Sequence, residues 1–189
     1  MSGTVDKLVD TALELAAKRP WAQISLREIL DASALSLRMV YPAIQNKSDI
    51  LAAIFARIDK VMLAEASFRD EMVQERLFEL FMARFDFLQS HRYAMLSLFK
   101  YFKTNPCDRF ERFMGLERAM GVTLSAAGLG SEGILGRIRK KVLTAVYLYC
   151  LNTWQRDESM DMALTMRTVD ETLKRLDQWV KYLPETIKD

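Results

Sequence analysis

The side chains that most often carry catalysis are scarce in this chain. His91 is its only histidine, and Cys107 and Cys150 are its only cysteines, without the close spacing of metal ligands. The residues that a serine–histidine–aspartate triad or a multi-histidine metal site requires are therefore almost absent. The carboxylates are scattered and form no evident acid–base pair. We expect a protein that is not an enzyme and that holds no metal and no cofactor.

A second pattern matches a nucleotide-binding fingerprint. Gly128, Gly130 and Gly133 have the Gly-x-Gly-x-x-Gly spacing of dinucleotide sites. That chemistry requires a strand before the glycines and, after them, a helix whose N-terminus receives the pyrophosphate. A helical pattern precedes these glycines instead, and no segment shows the alternation typical of a strand. We interpret the stretch as a loop between helices.

The elements that position any functional site in this chain are predicted to be helices. Apolar residues recur at spacings of three and four along most segments, and a 50% apolar composition with eleven Met, ten Phe and four Pro suits helical packing. We predict an all-α protein of about nine helices. Because no run of about 18 apolar residues occurs and the N-terminus carries no signal-peptide core, we expect a cytoplasmic protein without a membrane span.

The most informative stretch comprises residues 25–51. Ser25 and Glu28 have the capping-box spacing that satisfies free N–H groups at the start of a helix. Three apolar residues at helical spacing give this short helix one inward side: Leu26, Ile29 and Leu30. The pattern therefore predicts a helix that begins directly after Ser25.

A second short helix follows after a connection at residues 32–35. Ser36 is placed to cap it, and its inward positions are Val40 and Ile44. Two short helices joined by a turn of three or four residues form a helix-turn-helix, which presents its second helix to the major groove of DNA. The stretch therefore predicts a DNA-binding motif.

The same stretch resembles the signature of TetR-type repressors, which runs approximately Ala-Gly-Val-Ser-x-Gly-x-Leu-Tyr-x-His-Phe-x-x-Lys-x-x-Leu-Leu. The matching segments are Leu35-Ser36, Val40-Tyr41 and residues 46–51, which read Asn-Lys-Ser-Asp-Ile-Leu. Their order, spacing and hydrophobic positions agree, and the match covers about 45 residues at the N-terminus.

The chain departs from this signature at positions that bear on DNA binding. Ala34 and Arg38 stand where the family usually has glycines, and Ala43-Ile44 replaces the usual His-Phe pair. The missing histidine removes a phosphate contact that is usual in the family. The fold tolerates such changes more easily than the DNA contacts do.

The resemblance implies both an architecture and a function. A three-helix head with the helix-turn-helix would comprise residues 1–46, and a larger helical body for effector binding and dimerisation would comprise residues 47–189. The implied function is a DNA-binding transcriptional regulator, a repressor that is released by a small apolar effector.

The second helix of the motif carries the residues predicted to read DNA. On a helical wheel, Arg38, Tyr41 and Pro42 lie within about 100° of one another, away from the inward positions. An arginine on that side can read a guanine edge, which is the commonest specific base contact. The neighbouring Leu37 and Met39 can contact thymine methyl groups.

Further DNA contacts follow from the resemblance. It assigns Tyr41 and Lys47 to the phosphates and places Ser25, Arg27 and Ser36 at the rim of the groove. The complete predicted set of contacts to double-stranded DNA is Ser25, Arg27, Ser36, Leu37, Arg38, Met39, Tyr41 and Lys47.

The middle of the chain is rich in Met and Phe, and two interpretations of it remain open. These side chains either form a plain helical core or line an apolar pocket, since Met and Phe adapt to ligands and pockets form between packed helices. The resemblance favours a pocket, because such repressors hold an effector in the equivalent helices. The candidates are Phe81, Phe85, Met95, Phe99, Phe102, Phe113 and Met114.

Two helices with apolar faces, at about 137–156 and 160–182, end the chain. In the family, the last two helices of each subunit join into a four-helix bundle, and a second copy of the chain can supply half of the cover that such helices need. We predict a homodimer through Val142, Tyr149, Leu173, Leu176, Trp179 and Val180. Trp154 is interpreted as either an interface residue or a core residue.

A competing interpretation comes from the charge of the DNA-facing stretch. Residues 1–50 carry six basic and six acidic side chains, whereas DNA-binding modules usually carry a basic excess. The body also resembles, more faintly, the TetR-like lipid-binding protein of ubiquinone biosynthesis, through an aromatic helix that ends near Asn105-Pro106 and the apolar segment Ala145-Val146-Tyr147. Under this alternative, the head has lost DNA binding and the protein is a lipid- or quinone-binding accessory factor.

Overall fold

The computed structural model describes the backbone of residues 2–65 and 72–181, and the side chains within these ranges except those of 2, 107–112 and 177–181. The described residues form nine α-helices and one short 3-10 helix, and none of them lies in a strand, which confirms the predicted all-α class. The helices are α1 (Ser2–Lys18), α2 (Leu26–Ser33), α3 (Leu37–Val40), α4 (Lys47–Glu65), α5 (Val73–Ser90), α6 (Arg92–Thr104), α7 (Pro106–Ala126), α8 (Gly133–Arg156) and α9 (Ala163–Lys181), with the 3-10 helix at Trp21–Gln23. Within these ranges, no helix is long and apolar enough to cross a bilayer.

The chain divides into two compact units. The first unit combines residues up to 60 with residues 87–112, and the second combines residues 61–86 with those from 113 onward. The predicted boundary between residues 46 and 47 marks the end of the DNA-binding stretch. This boundary stays a prediction.

The first unit is built around α1, which packs against α2 and α6. Four residues of its apolar stripe are buried, as the helical spacing predicts: Leu8, Val9, Ala12 and Ala16. Phe55 of α4 and Phe102 of α6 add an aromatic contact to the same unit, with ring centroids 6.1 Å apart. This core supplies the support on which the helix-turn-helix is held.

Aromatic packing organises the core of the second unit. Tyr147 of α8 contacts two α5 side chains: its ring meets Phe81 edge-on and stacks on Phe85, with centroids 5.3 Å apart in both pairs. Arg84 is buried beside them, and its guanidinium carbon lies 5.3 Å from the centre of the Tyr147 ring. Trp154 is fully buried as well, so it belongs to the core rather than to an exposed interface.

One carboxylate closes the corner between α8 and α9. Asp157 is 3% exposed and accepts hydrogen bonds from the backbone N–H and the hydroxyl group of both Ser159 and Thr165. Burial alone would raise the pKa of Asp157, but the four hydrogen bonds outweigh burial and lower this pKa to about 2. The corner therefore holds a charged carboxylate at neutral pH.

The glycine-rich stretch connects α7 to α8, as predicted. Gly128 has a φ of +80°, a left-handed conformation that favours glycine. α8 begins at Gly133 rather than near residue 137, and Gly136 lies in its first turn. A Cβ atom at Gly136 would lie 2.2 Å from the carbonyl carbon of Ser131, so glycine permits a close backbone approach there instead of ending the helix. Because α7 stands where a dinucleotide site requires a strand, this stretch is not such a site.

Candidate nucleic-acid interface

The two predicted rim residues near the start of α2 have different surroundings. The hydroxyl oxygen of Ser25 accepts a hydrogen bond from the Glu28 N–H at 3.2 Å, and the Ser25 N–H donates to the Glu28 carboxylate at 2.7 Å, which confirms the capping box. The backbone N–H of Ser25, followed by the Arg19 guanidinium, lowers the pKa of Glu28 to about 2. Arg27 is largely exposed, 3.7 Å from the carboxylate of Asp31. Ser25 is thus already engaged in forming α2, whereas Arg27 projects into solvent.

The turn between α2 and α3 depends on one left-handed residue. Ala34 has φ 53° and ψ 37°, and its N–H donates to the carbonyl oxygen of Asp31 at 3.1 Å. The next N–H, that of Leu35, donates to the carbonyl oxygen of Leu30 at 3.0 Å. A left-handed conformation costs a residue with a Cβ atom about 1–2 kcal/mol. The position where the TetR signature has glycine therefore needs glycine-like backbone geometry here as well, and alanine supplies it under strain.

The second helix of the motif, α3, is shorter than the helical pattern indicated. Val40 and Ile44 are buried, as predicted. The helix ends at Val40, because a proline disfavours the helical conformation at the preceding residue and Tyr41 is extended, with φ −69° and ψ 141°. The prediction that Arg38, Tyr41 and Pro42 share one helical face is therefore wrong, although all three are exposed.

Most side chains of this segment are exposed, whereas that of Val40 is buried. Leu37, Met39 and Tyr41 are 42%, 56% and 61% exposed, and Arg38 lies exposed among them. Ser36 precedes them at the predicted N-cap position, but its side chain makes no capping hydrogen bond. We call residues 36–41 the α3 surface. It brings five of the eight predicted DNA contacts together.

Lys47 has a different environment from the one implied by the resemblance. Its ammonium group donates a hydrogen bond to the carbonyl oxygen of Trp21 and lies 4.5 Å from the centre of the Trp21 ring and 5.6 Å from that of Tyr101. Trp21 is itself fully buried, and its backbone N–H donates to the hydroxyl oxygen of Ser97 at 2.8 Å. Lys47 thus joins the start of α4 to the 3-10 helix. The local sequence pattern held no signal for this contact, because the two residues are 26 positions apart.

Two solved structures share this architecture. The TetR transcriptional regulator from Nitrosomonas europaea ATCC 19718 is similar with a TM-score of 0.76 and 27% identity, over 92% of this chain and 98% of that one. The chain has a TetR-family fold. The TetR transcriptional regulator from Rhodococcus sp. RHA1 is similar with a TM-score of 0.62 and 16% identity, over 90% of this chain and 94% of that one. Neither a protein-family model nor a curated protein matches the sequence.

Within this TetR-type fold, the seven predicted pocket residues are distributed over both units. The first unit holds Met95, Phe99 and Phe102, and the second holds Phe81, Phe85, Phe113 and Met114. Phe81 and Phe85 are fully buried against Tyr147, which is plain core packing. Phe113 and Met114 are 46% and 45% exposed. A pocket formed by these seven side chains stays a prediction.

A cavity of about 330 Å³ does lie in the second unit of the TetR-type fold, between the end of α4 and α5. Met62, Phe78 and Met82 supply apolar lining, and Glu65 and Asp86 add carboxylates. Burial, followed by the nearby charge of Glu65, raises the pKa of Asp86. None of the residues that line this cavity was predicted as a pocket residue, because their own helical spacing resembles that of any core residue.

The predicted dimer residues of the TetR-type fold differ in their exposure. Val142 and Tyr149 are 38% and 58% exposed on α8. Leu173 of α9 is buried inside the single chain, so it adds nothing to an exposed face, and Leu176 is half-buried. The side chains of Trp179 and Val180 lie outside the described residues.

Proposed function

We propose that the protein is a TetR-type transcriptional regulator that binds double-stranded DNA through the α3 surface. The observation that carries this proposal is the exposure of Arg38 among Leu37, Met39 and Tyr41, on a segment that Val40 anchors in the core. An arginine flanked by apolar side chains can contact a guanine edge and neighbouring thymine methyl groups. The similarity to two TetR regulators over most of the chain supports the same function.

DNA recognition by this surface requires two copies of the chain. Four exposed apolar side chains lie within about 80° of one another on α8: Ile134, Ile138, Val142 and Tyr149. A stripe of this kind is covered when a second copy presents the same face, which gives a homodimer with two-fold symmetry. Two α3 surfaces related in this way would meet successive major-groove turns of a palindromic site.

The regulator acts as a cytoplasmic repressor that a small apolar ligand releases, and it is a binding protein rather than an enzyme. The cavity of about 330 Å³ beside Met62, Phe78 and Met82 supports a ligand of small size, because cavities of this volume are typical of small-molecule sites. A ligand that binds the DNA-free conformation more tightly than the DNA-bound one shifts the population away from DNA.

Selection of genomic DNA fragments with the purified protein tests this function. At low salt, where few phosphate contacts are enough for retention, we expect enrichment of a palindrome whose half-sites lie about one helical turn apart. The same selection with a variant in which Leu37, Arg38 and Met39 are all changed to Ala should recover no common sequence. Enrichment of the same palindrome by this variant would place recognition elsewhere on the chain.

Two observations favour a second candidate function. Residues 1–50 carry balanced charges, and Lys47 is engaged with Trp21 instead of projecting toward DNA. Under this candidate, the protein is a lipid- or quinone-binding accessory factor, and native mass spectrometry would show a co-purifying isoprenoid or phospholipid. A recovered palindrome excludes this candidate, whereas bound lipid with no enriched sequence excludes the regulator.

A further inference from the structure

A second concave surface lies in the first unit, away from the α3 surface in sequence. It is formed by the end of α1, residues 19–22 and the outer side of α6, and it has a volume of about 360 Å³. We call it the α1–α6 groove. Its volume is typical of a small-molecule site, and none of the residues predicted to bind DNA or an effector lines it.

The charge of this groove has one sign. Lys18, Arg19 and Lys100 line it, and no Asp or Glu does. Arg19 is neutralised in part by Glu28, whose carboxylate lies 2.8 Å from the guanidinium group. Lys18 and Lys100 are exposed and have no ion-pair partner among the residues that the structure describes. The groove therefore presents two ammonium groups that a bound anion can neutralise.

The remaining lining is apolar and aromatic. Tyr93 projects from α6 with 76% of its surface exposed, and Leu96 and Tyr101 lie on the same helix, half-buried. Ala16 and Ala17 of α1 face them across the groove. Small side chains on one wall and aromatic side chains on the other leave room for a flat ring. An exposed tyrosine gains burial when such a ring covers it.

We propose that the α1–α6 groove binds a small aromatic carboxylate. Its ring would pack against Tyr93, Leu96 and Tyr101, and its carboxylate would pair with the ammonium groups of Lys18 and Lys100. The charge excludes an aromatic cation, and the apolar lining disfavours a bare inorganic anion, which would leave Tyr93 uncovered.

Occupancy of this groove would act on the contact that joins residues 19–22 to α6. Ser97 lines the groove. Its hydroxyl group accepts a hydrogen bond from the backbone N–H of Trp21 at 2.8 Å and donates one to the carbonyl oxygen of Arg19 at 3.4 Å. A ligand that contacts both sides strengthens this connection within the unit that carries the α3 surface. Occupancy of the groove would therefore stabilise the first unit.

The test uses the full chain, 2-naphthoate as the probe and 2-naphthamide as its uncharged counterpart. Isothermal titration of the wild type should show one naphthoate per chain, bound roughly tenfold more tightly than the naphthamide, since two exposed ion pairs contribute on that order. The double variant Lys18→Gln with Lys100→Gln should lose most of this preference, because Arg19, the remaining cation in the groove, is already paired with Glu28. No DNA is involved, so the outcome is independent of the proposed regulator function.

A matched control uses the same two helices. Lys7 on α1 and Lys103 on α6 are exposed and do not line the groove, so Lys7→Gln with Lys103→Gln removes the same net charge and should leave the preference for naphthoate intact. Equal affinity of the wild type for the two compounds would overturn the proposal. An undiminished charge preference in the Lys18 and Lys100 variant, or loss of the preference in the control, would overturn it as well.

Discussion

The ammonium group of Lys47 donates a hydrogen bond to the backbone carbonyl oxygen of Trp21 and lies 4.5 Å from the centre of the same residue's indole ring. This one side chain therefore gives the Trp21 carbonyl group a second donor, beside the Ile24 N–H, and places a positive charge over the fully buried indole ring. Both contacts stabilise the fold of the head. They also direct Lys47 toward the protein rather than toward a phosphate group.

Lys47→Met should therefore lower the free energy of unfolding by about 1–3 kcal/mol, because the Trp21 carbonyl keeps only the Ile24 N–H as a donor and the ring loses its cation. Urea unfolding at neutral pH measures the change. Lys60→Met, an exposed position on the same helix, should change stability by less than about 0.5 kcal/mol. If Lys47→Met left the midpoint of urea unfolding unchanged but weakened DNA binding, Lys47 would instead contact a DNA phosphate group.

Ala34→Gly should stabilise the protein by about 1 kcal/mol. The residue has a φ of 53°, and glycine adopts this conformation without the Cβ strain that alanine carries. Thermal unfolding monitored by circular dichroism should show a higher midpoint. The opposite sign is expected for Ala52→Gly, an exposed position inside α4, where glycine costs about 1 kcal/mol. A lower midpoint for both variants would show that the turn is not strained.

Arg38→Ala should weaken binding to the selected DNA site by about 1–3 kcal/mol and relax the preference at one base pair, as expected for the loss of a guanine contact. Titrations against the site and against single-base variants of it measure both effects. Arg118→Ala is a suitable control, since this exposed arginine lies on α7, in the second unit. Undiminished affinity and specificity after Arg38→Ala would exclude a base-reading role.

Ile138→Glu should convert the proposed homodimer into a monomer. Ile138 is 51% exposed in the single chain, so the charge is tolerated in the monomer, but it would be buried without a partner in a two-fold α8 interface. Sedimentation velocity at micromolar concentration distinguishes the two states. Leu63→Glu, an exposed apolar position on α4, should leave the sedimentation coefficient unchanged. If the Ile138→Glu variant remained dimeric, the interface would lie on another face of the chain.

Asp157 should give stability a defined pH dependence. Its pKa is lowered to about 2 in the folded chain, below the value of about 4 expected when unfolded, so its contribution is complete above pH 4 and is lost as the pH falls through 2. Asp157→Asn should reduce the free energy of unfolding by about 2 kcal/mol near pH 6 and by progressively less toward pH 2. Urea unfolding at several pH values provides the comparison, with the exposed neighbour Glu158→Gln as the control. If the difference in unfolding free energy between the wild type and Asp157→Asn stayed constant with pH, the destabilisation would come from packing rather than from the charge of Asp157.

Local patterns in the sequence were enough to predict the elements of the head. The capping box of Ser25 and Glu28 and the inward positions Val40 and Ile44 follow from spacings of three and four residues, which depend only on helical geometry. Pro42 also indicates the early end of α3, because a proline disfavours the helical conformation at the residue before it. A helical wheel that includes Tyr41 and Pro42 does not take this signal into account. The end of α3 is therefore predictable from the local sequence.

The partners of the functional side chains were decided by the tertiary structure alone. Lys47 meets Trp21 across 26 residues, and Phe81 and Phe85 pack on Tyr147 instead of lining a pocket. The α1–α6 groove pairs Lys18 with Lys100, which no local pattern relates. A helical period states which side of a helix is apolar, but not which distant segment covers that side, because long-range packing depends on the shapes and volumes of all the segments together.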